Sequence, residues 1–285
     1  MLSIGSTRWL PGIGSPITRT NARRRPMRST NRPCNPPKGS PPTKAWIVAR
    51  RGCSRGIRGR YFAERRFVIH IPILQKLRSY FRPIPLRRAD SAISGYVDLL
   101  LFRNRFHLLA PEASYSDGAR YFPAVEVARH LKKSLRRAKS VLVLGAGLGS
   151  IVEVMRARGY RPRYTLVEKD KMVLAWAMEI LGEDDSLEPV LGDAESFMAE
   201  NQRKYDLVFV DVFRGKAVPD FVTSPLFLQQ CRDSLSPGGR LALNYIEVHK
   251  NQWENVQRAF ARVFPGSHIV RRDENRILIS GPSLL

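Results

Sequence analysis

Val141-Leu-Val-Leu-Gly-Ala-Gly-Leu-Gly-Ser150 joins a short apolar run to three alternating glycines, Gly145, Gly147 and Gly149. A helical spacing of apolar residues follows at once, from Ile151 to Arg158. Strand, glycine turn and helix in that order build a cradle for a nucleoside-bearing ligand at the carboxyl edge of a parallel sheet. Glycine has no Cβ, so the chain can bend tightly and present bare backbone. The helix start adds N–H groups that lack intrahelical partners, at the positive end of the helix dipole.

The surroundings of the turn narrow the ligand. A dinucleotide fingerprint asks for Gly-x-Gly-x-x-Gly. Here Ser150 holds the sixth position and Gly149 the fifth, a spacing that favours S-adenosylmethionine. The next apolar strand, Tyr164-Thr-Leu-Val-Glu168, ends in an acid nineteen residues past Gly149. At that distance a carboxylate can accept both ribose hydroxyls. A third strand, Glu188 to Leu191, runs into Gly192-Asp193, where an acid can accept from an adenine amino group. A fourth, Asp206-Leu-Val-Phe-Val-Asp211, ends in another acid. Taken alone, Glu168 or Asp193 fits a helix cap or a solvated turn residue, the more common fate of an isolated acid. Four such strand ends in succession point to an adenosyl site built from Gly145, Gly147, Gly149, Glu168 and Asp193.

Strands and helices alternate on either side of this stretch. Tyr121 to Arg137 has one apolar stripe (Phe122, Val125, Ala128, Leu131, Leu135) and predicts a helix whose basic residues form a solvated face. Helices are expected at 151–159, 171–181, 194–201, 225–235 and 251–263, with strands at 164–167, 188–191, 207–210 and 240–245. His268–Arg271 and Arg276–Ser280 form a terminal antiparallel pair. The pattern predicts an α/β fold, a mostly parallel, Rossmann-like sheet with helices on both faces. Ahead of it, Tyr96 to Phe102 and Arg105 to Leu109 make a β-hairpin around Arg103-Asn104.

The stretch from about Ser91 to Ser280 resembles the spermidine synthase group of polyamine aminopropyltransferases and their class I methyltransferase-like relatives. The resemblance rests on the glycine stretch, Leu166-Val-Glu168, Gly192-Asp193, Asp206 to Asp211, and Leu235-Ser-Pro-Gly-Gly-Arg-Leu-Ala-Leu-Asn244. Tyr96 to Leu109 with Tyr115-Ser-Asp117 is also similar, to the small β-hairpin domain of that group. The resemblance implies a seven-stranded sheet, a homodimer and candidate substrate contacts from Tyr115 and Asp117, a stretch that fits a plain Ser-Asp-Gly turn equally well. It implies S-adenosylmethionine or its decarboxylated form as co-substrate.

Two departures bear on the reaction. The aminopropyltransferases carry an acid inside the glycine loop, where this chain has Leu148. They carry a two-acid loop after the fourth strand, where this chain reads Asp211-Val-Phe-Arg214. A doubly cationic diamine needs carboxylates, and Arg214 adds a like charge. Methyl transfer makes no such demand and is the favoured reading. The alternatives are aminopropyl transfer and a non-catalytic nucleoside or nucleic-acid binder. Either transfer displaces a neutral thioether, so alignment dominates and one carboxylate suffices to take a proton from an acceptor amine. Asp211 is the candidate catalytic residue. Asp220, in an expected lid over 212–225, and Asn244 and Tyr245, at the end of the fifth strand, are candidates for the acceptor pocket.

The formal charge of +23 is unevenly spread: residues 1–63 hold fourteen Lys and Arg and no acid, and the remainder holds 34 basic against 25 acidic side chains. Eight prolines precede position 43, and no apolar periodicity accompanies them. Such a segment cannot bury enough surface to offset its ordering entropy. It fits a nucleic-acid or anionic-membrane arm, an organelle transit peptide, or an extension from a misplaced start, which ranks first. The expected organisation is a basic extension over 1–63, an apolar and basic linker over 64–90, the hairpin domain over 91–118 and the adenosyl-binding domain over 119–285. Within the linker, 66–81 is too short and too charged to span a bilayer; packing against the folded part is its expected use, ahead of a surface-lying anchor. The scattered histidines and three cysteines show no metal spacing, and a cytoplasmic location is expected.

Overall fold

The computed structural model describes residues 69–281, except 112, 115, 216, 248 and 249. A short helix α1 (Ile73–Arg78) precedes an antiparallel meander, β1 (Ile84–Ser91), β2 (Gly95–Phe102), β3 (Arg105–Ala110) and β4 (Ala113–Ser114). A 3-10 turn, Gly118–Arg120, leads into α2 (Phe122–His130) and α3 (Lys132–Leu135). The alternating part follows: β5 (Ser140–Leu144), α4 (Ser150–Ala157), β6 (Arg163–Glu168), α5 (Lys171–Leu181), β7 (Leu187–Leu191), α6 (Ala194–Glu200) and β8 (Tyr205–Val210). Then come a second 3-10 turn (Asp220–Thr223), α7 (Pro225–Asp233), β9 (Leu235–Ile246), α8 (Lys250–Val263), β10 (His268–Arg272) and β11 (Asn275–Ile279).

The large sheet has seven strands in the order β10-β11-β9-β8-β5-β6-β7. Strands β5 to β9 pair in parallel, and β11 inserts antiparallel between β9 and β10. Both faces are covered, which is why its strands are almost continuously apolar. Leu142, Leu144, Val208, Val210, Leu241 and Leu243 face a core shared with α6, α7 and α8. Val141, Val143, Leu166, Phe209 and Ile277 face the opposite core, under α2, α3 and α4. The α/β fold with its seven-stranded sheet and preceding hairpin sheet is the one expected.

Three features differ from the expectation. β1 lies inside the stretch assigned to a linker. Pro85 and the Arg87-Arg88 pair disguise it, yet it is an edge strand with a bulge between Pro85 and Arg87, where proline is tolerated. Its arginines are matched by Glu179 (2.7 Å) and Asp98 (2.7 Å). The helix expected over 121–137 breaks at Leu131 (φ −97°, ψ 16°), and both Leu131 and Leu135 remain buried. Finally, the segment 66–81 packs only in part among its described residues: Ile69 packs on the folded part and Ile71 is buried, whereas Ile73, Leu74, Leu77, Tyr80 and Phe81 are exposed.

The small sheet packs on helix α5 and the glycine loop through an apolar cluster of Val97, Leu99 and Leu108 with Val173, Trp176 and Leu148. Leu148 is 2% exposed. Leu148, at the loop position where the resembled aminopropyltransferases carry an acid, is therefore a hydrophobic peg between the small sheet and α5. Leu148→Ala is expected to cost about 2–5 kcal/mol. Leu148→Asp, which leaves an unpaired carboxylate in the same cluster, is expected to cost more. Denaturant unfolding followed by circular dichroism reads both.

Candidate active site

The sheet reverses its winding between β5 and β8, with β6 and β7 on one side and β9 on the other. Such a switch point opens a crevice beyond the carboxyl ends of the strands. The glycine stretch crosses it. Gly145 (φ +80°) lies so close to the Asp211 backbone that a Cβ would overlap its carbonyl. The Asp211 N–H donates to the Leu144 carbonyl (2.8 Å), and the N–H groups of Gly145 and Ala146 donate to the Val167 carbonyl (3.0 and 3.1 Å). The ends of β5, β6 and β8 are thereby tied together by backbone alone. Gly147 (φ +52°) faces open space, with nothing within 4 Å of the position a Cβ would take. Gly149 (φ +80°) caps α4, and the Leu181 side chain fills the space beside it.

Glu168 points into this bend. Its Oε2 accepts the Gly147 N–H (3.0 Å) and its Oε1 accepts the Asp170 N–H (3.0 Å). Burial pushes its pKa above the usual carboxylate range, against the pull of these N–H donors. Each oxygen keeps a further lone pair, so the carboxylate can still receive hydroxyl donors. Asp193 follows β7 and caps α6, its Oδ1 accepting the N–H groups of Glu195 (3.0 Å) and Ser196 (3.3 Å). Its Oδ2 pairs with Lys169 Nζ (3.0 Å). Burial opposes its charge, but Lys169 and the capping N–H groups outweigh burial and hold the pKa low. Asp193 is thus both a helix cap and a neighbour of the residue that follows Glu168.

Asp211 is a second perturbed acid of the crevice. Burial raises its pKa to about 6, Glu168 adds repulsion, and two donors partly offset them. Those donors are Asn244 Nδ2 (2.9 Å) and Tyr121 Oη (3.0 Å), both on Oδ1. Burial and the nearby Asp211 push the Tyr121 phenol well above its ordinary range, so it remains a neutral donor. Tyr121 immediately precedes α2, and Asn244 sits near the end of β9 on the face that α2 covers. Tyr121 had no site signal in the sequence beyond a helix start. Asn244 was visible as one of two strand-end residues, and strand alternation separates them. Tyr245 lies on the other face, 4% exposed and against the Trp253 ring, with centroids 5.7 Å apart.

The remaining candidates lie around this centre. Asp220 is exposed at the start of the second 3-10 turn, and its charge, after burial, helps raise the Tyr245 pKa. Asp117 accepts from Arg105 Nε (2.7 Å) at the entrance to the first 3-10 turn. Tyr115 lies outside the described residues. Arg214 is exposed and makes no ion pair among the described residues. Gly145, Gly147, Gly149, Glu168 and Asp211 are brought together, with Asp193 beside them through Lys169.

A family model described as a spermine/spermidine synthase domain matches residues 124–270. The chain belongs to that family. Among curated proteins it is 26% identical over 139 residues to a probable polyamine aminopropyl transferase of Bifidobacterium longum. It is 28% identical over 111 residues to an N-terminal histidine N-methyltransferase of Emericella nidulans. These matches cover 48% and 37% of this chain, but only 31% and 20% of the two relatives. Among solved structures, a spermidine synthase bound to the transition-state analogue AdoDATO aligns over 69% of this chain and 73% of its own, with 16% identity and a TM-score of 0.57. The spermidine synthase of Thermotoga maritima aligns over 70% and 72%, again with 16% identity and a TM-score of 0.57. Family members thus share this fold at low identity.

The raised pKa of Asp211 has a consequence for stability. The folded state holds this proton more tightly than the unfolded chain, whose carboxyl titrates near 3.8. Stability is therefore lost as pH rises from about 4 to about 6. Asp211→Asn is expected to remove that component, since an amide oxygen still accepts from Tyr121 and Asn244. Unfolding free energies of both proteins across pH 4–7 check the difference.

Proposed function

We propose that the crevice binds S-adenosylmethionine and transfers its methyl group to a nucleophilic acceptor, an amine being the class best matched to the site. The glycine bend would receive the methionine moiety and the Glu168 carboxylate the ribose hydroxyls. Asp193 would lie toward the base. In the transfer, the acceptor lone pair forms a bond to the methyl carbon while the carbon–sulfur bond breaks, and sulfur leaves as a neutral thioether. An amine acceptor must then shed a proton. Asp211 is suited to take it, because its pKa of about 6 leaves it ionised near neutrality but still basic.

The observation that carries methyl over aminopropyl transfer is the fate of Leu148. At the loop position where the aminopropyltransferases resembled by this chain hold an acid, the side chain is apolar and packed into the cluster between the small sheet and α5. The exposed Arg214 replaces a second acid. A dicationic diamine would find one carboxylate, Asp211, where that group supplies more. The family assignment and the similarity to a probable polyamine aminopropyl transferase favour the second reading, aminopropyl transfer from the decarboxylated donor.

Isothermal titration separates the two. S-Adenosylmethionine is expected to bind at least tenfold more tightly than its decarboxylated form. The reverse order supports aminopropyl transfer, and binding of neither supports a non-catalytic role. Once an acceptor is found, the rate is expected to rise with pH through about 6 as Asp211 ionises. Tyr121→Phe removes a hydrogen bond that favours the ionised form. It is expected to move this limb to higher pH, as a pH–rate profile will show.

A further inference from the structure

The exposed apolar residues around α1 have a helical arrangement. At about 100° per residue, Ile73, Leu74, Leu77, Tyr80 and Phe81 fall within an arc of roughly 120°. Turn hydrogen bonds from the N–H groups of Tyr80, Phe81 and Arg82 back to Leu77 and Arg78 prolong the coil past the end of the helix. Phe81 is 90% exposed and Ile73 79%. Lys76 borders the arc on one side and Arg78 on the other, and Arg82 follows. These three cations and Arg103 are exposed, and none pairs with an acid among the described residues.

The opposite side of the coil is fixed. Ser79 is fully buried; its Oγ donates to the Lys76 carbonyl (2.6 Å) and accepts the Asn104 N–H (2.9 Å). The Arg103 N–H donates to the Ser79 carbonyl (2.7 Å). The segment is therefore pinned to the tip of the β2–β3 hairpin, with its apolar side turned outward. A contiguous outward apolar patch on a soluble fold calls for a partner. No acid occurs between Arg65 and Ala89, while apolar and basic residues alternate around the coil.

We propose that this face docks on an anionic lipid bilayer, lying in the interface with its apolar arc among the acyl-chain boundary and its four cations among the headgroups. An apolar centre with a basic border is the pattern such surfaces recognise, and the attraction is expected to weaken with salt. The face belongs to the small-sheet side of the chain and does not use the crevice residues, so it stands or falls independently of methyl transfer.

Sedimentation of the full chain with vesicles tests it. Phosphatidylcholine vesicles containing about a third phosphatidylserine are compared with phosphatidylcholine alone. Wild type is expected to bind the anionic vesicles at least tenfold more strongly. Leu74→Ser, Leu77→Ser and Phe81→Ser combined leave the net charge unchanged, including that of residues 1–63. This variant is expected to lose at least tenfold in binding. As a second reading at a site where folding is not at stake, Phe81→Trp is expected to add a blue-shifted emission component on anionic vesicles. Equal binding by wild type and the triple variant overturns the proposal, because the basic extension then accounts for it. So does absence of vesicle binding by wild type. A dimer that the triple variant dissociates, seen by light scattering without vesicle binding, overturns it in favour of a second copy of the chain.

Discussion

The backbone of Gly145 rests directly on the backbone of Asp211, and there is no room between them for a side chain. This contact sets the distance between the ends of β5 and β8. It places the glycine bend over the switch point with the Asp211 backbone against it. A Cβ here would also face the cost of a positive φ. Either effect would push β8 away from the bend and separate the two halves of the crevice. The hydrogen bonds from Asp211 to Leu144, and from Gly145 and Ala146 to Val167, hold the same junction from the other sides.

Two demands converge on the short loop beyond that junction. Gly147 presents its N–H to Glu168 and its open side to the crevice, while the next residue, Leu148, turns away into the cluster with Val97, Leu99, Leu108, Val173 and Trp176. The loop is anchored in the apolar contact between the small sheet and α5. Asp211, at the end of β8, is held by Tyr121 and Asn244 from two different elements. A half-buried carboxylate with two neutral donors on one oxygen, and a pKa raised to about 6, can bind or release a proton near neutrality. Its second oxygen makes no hydrogen bond to a described residue.

The fold was legible because its strands are buried on both faces and its helices carry regular stripes. The glycine bend and the acids at the strand ends were legible because each stands at a fixed offset from an apolar run. β1 was not, since an edge strand tolerates Pro85 and spends its charges on Glu179 and Asp98, partners remote in sequence. Tyr121 was hidden for a related reason: its role arises only when the start of α2 is laid over the ends of β8 and β9. Tyr245 and Asn244 were equivalent as letters, and only the strand's pleat sends one to Trp253 and the other to Asp211. The outward orientation of Ile73 to Phe81 was equally invisible, because an apolar helical stripe looks the same whether it faces a core or faces out.

The central claim is that the bend, Glu168 and Asp211 enclose one adenosyl compound. A crystal structure of the chain with S-adenosylhomocysteine tests it most directly. The account predicts ribose hydroxyls on the Glu168 carboxylate, the amino-acid moiety along Gly145 to Gly149, and the sulfur on the side of the crevice that Asp211 lines. A nucleoside found elsewhere on the molecule, or a ribose turned away from Glu168, would contradict it.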